Sequence, residues 1–128
     1  MPLKQLERRI GKRFWAFPDA ELPPAGNSTL KGHESVIILN MTGSTAHVVM
    51  TLYFEDGEPL KGIAIAVLAR RVRRIRMDQP ENIGGFVVPI NTQYAITLRS
   101  DRPIIAQYGR PDARQTNLAF YATSGFSE

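Results

Sequence analysis

The chain has 128 residues, a formal net charge of +4 and no cysteine. One domain fits this length and can bury a core without a staple, while disulfides, thiolate metal sites and a cysteine nucleophile are excluded. No apolar run reaches the ~18 residues a membrane-spanning helix needs. The basic N-terminus lacks the apolar stretch of a secretory signal, which with the missing cysteines suits a cytoplasmic location.

The charge is uneven. Residues 1–13 carry five bases against one acid, residues 69–76 (ARRVRRIR) carry five arginines, and the remainder is net acidic. Arginine outnumbers lysine 12 to 4, which favours fork geometry toward carboxylate or phosphate over diffuse attraction.

In chain order, Leu3, Leu6 and Ile10 make a short helical stripe, so residues 1–10 are expected to be a helical or disordered extension. Residues 11–128 then form one domain. RFWAF (13–17) is a short aromatic strand, and residues 18–32, rich in Pro and Gly, read as a loop. ESVIILN (34–40) is an apolar run of strand length, expected to be covered on both faces. AHVVMTLYFE (46–55) alternates, with Val48, Met50, Leu52 and Phe54 on one face. Asp56-Gly57 supplies a turn, and GIAIAVL (62–68) alternates again.

The arginine segment is predicted to turn at 69–71 and continue as a strand anchored by Val72, Ile75 and Met77. Residues 78–85 form a second loop. FVVPI (86–90), QYAITLRS (93–100), PIIAQYG (103–109) and NLAFYAT (117–123) read as further strands. In these, Tyr94, Ile96 and Leu98 face inward, and Leu118, Phe120 and Ala122 share one face. Eight or nine short strands with turn chemistry between them define an all-β sandwich or barrel.

Catalytic machinery is hard to assemble from this sequence. His33 and His47 lack metal-ligand spacing, and no nucleophile elbow, Walker or dinucleotide-binding glycine pattern is present. The sequence therefore predicts no catalytic residue, no metal and no cofactor. Four features remain as candidate contacts. Arg70, Arg71, Arg73, Arg74 and Arg76 form a basic stripe that could grip phosphates or serve ion pairing with a partner. No aromatic residue interleaves with them, which disfavours single-stranded nucleic acid. In RPDARQ, Arg110 and Arg114 flank Asp112, with Gln115 beside them, as either a pocket rim or a structural ion cluster. Trp15 is a core residue or a pocket wall. His33 and Glu34 open a strand at one end of the sandwich, pointing to opposite faces.

FWAF with a following PPAGN, GHE before a strand ending in Asn40, AHVVMTLYFEDGEP, ARRVRRIR-MD and PIIAQYGRPDARQ occur in an order and spacing that resemble the sensory rhodopsin transducer family. The resemblance spans residue 11 to about residue 123. It implies a jelly-roll β-sandwich assembling as a homotetramer, without enzymatic activity. It also implies a small polar or anionic ligand, with sugars or related metabolites foremost. On this basis Trp15, His33, Glu34, Arg110, Asp112, Arg114 and Gln115 are the expected ligand-binding residues. The alternatives are a cytoplasmic adaptor docking on a membrane photoreceptor, to which the basic patches are suited, and a nucleic-acid-binding protein using residues 69–76.

Overall fold

Period-two alternation leaves Val48, Met50, Leu52, Ile63, Ile65, Val67, Ile96 and Leu98 almost wholly buried. These segments must therefore pair as sheets with one face turned inward. Each such side chain contributes roughly 1.5–3 kcal/mol of burial. The computed structural model describes residues 2, 5, 10–27, 29–113 and 119–128. The strands are β1 (Lys12–Ala20), β2 (Ser35–Asn40), β3 (Ala46–Phe54), β4 (Leu60–Val67), β5 (Arg71–Arg76), β6 (Tyr94–Asp112), β7 (Ala119–Thr123) and β8 (Phe126–Ser127). The expected N-terminal stripe lies largely outside the described residues.

All strand ladders are antiparallel and nested. β3 pairs with β4, β2 with β5, and β1 with β6, which is a long hairpin rolled into a jelly-roll sandwich. β6 serves both layers. Its first half lies between β3 and β1 in the order β4-β3-β6-β1-β8, and its second half lies between β2 and β7, with β5 beyond β2. The sequence divides β6 at Asp101-Arg102-Pro103, yet pairing continues through this bend. Ser100 remains opposite Val48, and Ile104 is already opposite Lys12.

Several expectations are corrected. β1 runs on through Pro18, Asp19 and Ala20 because β6 offers partners as far as Tyr94. Residues 86–90 form no strand, only a single bridge between Ile90 and Leu22. Val72 is 65% exposed and anchors nothing, while Ile75 and Met77 are buried as expected. Phe120 is 74% exposed, on a strand whose residues are nearly all exposed. β2 is buried on its inner face alone, with Ile37 and Leu39 half-buried. β8 was not foreseen. Gly125 enters it at φ 63°, where a Cβ would lie 2.3 Å from the Ala16 carbonyl oxygen, so a side chain there would hold the C-terminal strand off β1.

Candidate functional site

The inward parity that buries Val36 and Ile38 in β2 also carries two polar residues, Asn40 at its end and Glu34 just before its start, both fully buried. A buried polar group needs partners, and both have them. Asn40 Nδ2 donates to the carbonyls of Ser44 (2.8 Å), Val67 (3.0 Å) and Leu68 (3.2 Å), while its Oδ1 accepts from the backbone N–H and hydroxyl of Thr42. It fastens the β2–β3 turn to the end of β4.

Glu34 is more unusual. Tyr94 donates its hydroxyl to one carboxylate oxygen and Tyr108 donates to the other. Both tyrosines come from β6, one from each half, so this carboxylate ties the two layers through the strand they share. Burial raises the Glu34 pKa above its ordinary value, and the two hydroxyls and Arg110 counter part of that rise. Burial and the nearby carboxylate push both tyrosine hydroxyls up as well, so they remain donors throughout the physiological range.

The network continues to the surface. The Tyr108 oxygen accepts from the Glu21 backbone N–H (3.2 Å) and from Arg110 Nη1 (3.4 Å). Arg110 also donates to the Asp19 carbonyl (3.3 Å) and lies 3.7 Å from the Asp19 carboxylate. Its guanidinium sits 4.8 Å from the Tyr121 ring centroid and 6.0 Å from that of Tyr108. Outside this stack is a cleft of about 210 Å³ lined by Glu21, Pro23, Arg110, Asp112, Ala119 and Tyr121. The cleft presents cationic donors, carboxylate acceptors and an aromatic ring at one end of the sandwich.

The sequence candidates distribute unevenly around it. Arg110 and Asp112 line the cleft, but as the last residues of strand β6 rather than in a loop, and the carboxylate beside Arg110 is that of Asp19. Arg114 and Gln115 lie outside the described residues. Glu34 stands behind the cleft, one tyrosine removed. Trp15 is in the core, 7% exposed, with its Nε1 donating to the carbonyls of Lys12 and Ile104 at 3.1 Å. His33 points the opposite way from Glu34 and bonds through Nδ1 to the Lys31 carbonyl at 2.8 Å. Arg70, Arg71, Arg73, Arg74 and Arg76 lie elsewhere, on the turn into β5 and on β5 itself.

Sequence reasoning missed Asp19, Glu21, Tyr94, Tyr108 and Tyr121 as parts of this network. A signal existed for two of them. Tyr94 and Tyr108 fall on inward parity beside Ile96 and Ala106, and a buried phenol requires an acceptor. Among the described residues, no group of three His, Asp or Glu is placed to hold a metal ion.

These features define a small jelly-roll sandwich whose strand ends frame a polar cleft backed by a buried carboxylate. The family model described as Anabaena sensory rhodopsin transducer matches residues 10–127, and the chain belongs to that family. Solved structures resemble it, among them these two. One is Thermotoga maritima 1070, with 28% identity, a TM-score of 0.82 and coverage of 92% of this chain and 96% of that one. The other is the Anabaena sensory rhodopsin transducer, with 33% identity, a TM-score of 0.68 and coverage of 77% and 96%. No curated protein matches.

Proposed function

We propose that the protein is a non-enzymatic, cytoplasmic transducer module that binds a small hydroxyl-rich or anionic metabolite, a sugar or sugar acid, in the cleft beside Arg110. The observation that carries this reading is the Arg110 guanidinium, set against Tyr121 and Tyr108 with an acid only at 3.7 Å. Such a guanidinium is oriented before a ligand arrives, so less ordering is lost on binding. Arg110 would donate to ligand oxygens, Glu21 and Asp112 would accept from hydroxyls, and the Tyr121 ring would cover a sugar face. Glu34 acts through Tyr108 as a positioning residue.

Calorimetric titration of neutral sugars, sugar acids and phosphates at millimolar concentration tests it. A member of the panel should bind, and Arg110→Gln should abolish that binding while leaving the fold intact. Undiminished binding by Arg110→Gln would place the ligand elsewhere, and a panel without any binder would remove the reading.

Family membership supports a second reading, that the module works beside a membrane receptor, since a relative is named as a sensory rhodopsin transducer. No helix among the described residues is long and apolar enough to cross a membrane, so the receptor would supply the membrane part. We further propose a homotetramer. The outer face of the β4-β3-β6-β1-β8 layer supports it, with Val49 and Tyr53 each more than 40% exposed and the small Ala64 of β4 opposite Val49. Light scattering of the purified chain reads the mass directly, and a monomer would overturn this.

A further inference from the structure

The arginine strand has not been absorbed by the cleft. Among the described residues β5 pairs with β2 alone, so its other side is a sheet edge. The Met77 N–H bonds to the Glu34 carbonyl, and the β2–β5 register then runs without a shift from Arg76 opposite Ser35 to Arg71 opposite Asn40. In an antiparallel ladder the hydrogen-bonded pairs alternate. Ile75, Arg73 and Arg71 therefore bond toward β2, while the backbone groups of Val72, Arg74 and Arg76 point outward.

Beside this edge a groove of about 390 Å³ opens between β4 and β5, lined by Ala66, Val67, Leu68, Arg71, Val72 and Arg73. Leu68 is 62% exposed and Val72 65%. Arg73 Nη1 donates to the Ala66 carbonyl at 2.7 Å, bridging the two layers at the head of the groove. Arg71 donates to the backbone carbonyls of Ala69 and Arg70. Among the described residues Arg76 is paired with Asp78, but Arg71, Arg73 and Arg74 enter no ion pair.

We propose that β5 is a docking edge for an extended acidic peptide. The peptide adds as a strand against the outward backbone groups of Val72, Arg74 and Arg76, sets carboxylates beside Arg71 and Arg73 on one face of β5, and places apolar side chains beside Val72 on the other. Strand addition supplies main-chain bonds, and side chains at alternate positions supply selectivity. Charge decides the occupant. A two-fold-related antiparallel copy pairs residue i with a fixed sum of positions. Centred on Arg73 or Arg74 it sets that arginine against itself, and centred on Val72 or Ile75 it sets Arg71 against Arg73 or Arg74 against Arg76. Like charges directly opposite are destabilising, so the edge repels its own kind as charged edges commonly do. An acidic strand reverses that sign. No aromatic ring lines the groove for a base to stack on, which leaves nucleic acid the poorer fit.

The test uses the full chain and a fluorescein-labelled peptide of alternating Glu and Val, about six residues long to match one strand. Anisotropy is read at about 50 mM salt, where surface charges act over roughly 14 Å. The peptide should bind. A copy N-methylated on the amides that face β5 keeps every charge and should lose binding to the wild-type protein. Arg71→Glu should weaken binding about tenfold, while Arg102→Glu, an exposed arginine away from β5, should leave it unchanged. Val72→Pro removes one outward N–H at an edge, where proline is tolerated, and should also abolish binding. Absence of binding at millimolar protein, or equal binding of the N-methylated peptide, would overturn the proposal. So would a DNA duplex that outcompetes the peptide, or a fall in oligomer mass with Val72→Pro.

Discussion

The Glu34 clamp makes a sharp prediction about Tyr94→Phe. The substitution deletes one oxygen atom from a fully buried site and leaves one carboxylate oxygen of Glu34 without its donor. If the carboxyl is ionised, the lost bond is charge-assisted and worth about 1.5–3 kcal/mol, whereas a neutral carboxyl loses about 0.5–1.5 kcal/mol. The folded-state pKa of Glu34 is raised above 4.5 by burial. Its contribution to stability is therefore complete below the unfolded value and is lost as pH rises through the folded one. The Tyr94 hydroxyl lowers that folded value, so removing it raises the value further and deepens the loss at higher pH. Urea unfolding at about pH 4 and about pH 8 should show the cost of Tyr94→Phe growing by roughly 1 kcal/mol, or about 3–6 °C in Tm for a domain of this size. Val87→Ala, at a residue 70% exposed, serves as the control and should stay within about 0.5 kcal/mol at both pH values. A cost that is equal at the two pH values, or larger in acid, would show that the hydroxyl does not favour the ionised carboxylate.

Other substitutions separate the strong contacts from the weak ones. Asn40→Ala strips five hydrogen bonds from a buried side chain and should cost roughly 3 kcal/mol or more by chemical denaturation. Arg76→Ala breaks a bidentate pair with Asp78 whose members are 26% and 30% exposed, and screening by solvent should hold the loss to about 1 kcal/mol or less. There burial works against the Asp78 charge, but Arg76 outweighs it and holds the carboxyl below its ordinary value. Any acid-side destabilisation in the wild type from this pair should vanish in Arg76→Ala. Gly125→Ala puts a Cβ into the Ala16 carbonyl at positive φ, and hydrogen exchange should show the β8 amides losing protection while those of β3 keep theirs.

How much was legible depended on whether a residue's environment was set by its neighbours in sequence. The inward faces of β3, β4 and the first half of β6 followed from alternation alone, because a sheet with one buried face admits one register. The same parity, continued one step past Val36, would have put Glu34 indoors with Val36, Ile38 and Asn40. Val72 looks like a core residue by its apolar side chain alone, but its parity is opposite to that of the buried Ile75, so it falls on the outer face of β5. Phe120 lies on β7, whose side chains are nearly all exposed. Residues 86–90 have strand composition, but Pro89 and the lack of a paired partner reduce them to one bridge.

By itself, then, the sequence determined the class of fold, the faces of its central strands, the strand character of the arginine segment and the family to which the chain belongs, since all of these are periodic or ordered properties of neighbouring residues. Only the tertiary structure decided that Asp19, Glu34, Tyr94 and Tyr108 form one network reaching Arg110, that Trp15 stands apart from the cleft, and that β5 lies at an edge. These depend on which strands become neighbours, and β6 brings Arg110 within hydrogen-bonding reach of Asp19, 91 positions away, through long-range pairing that no local pattern encodes.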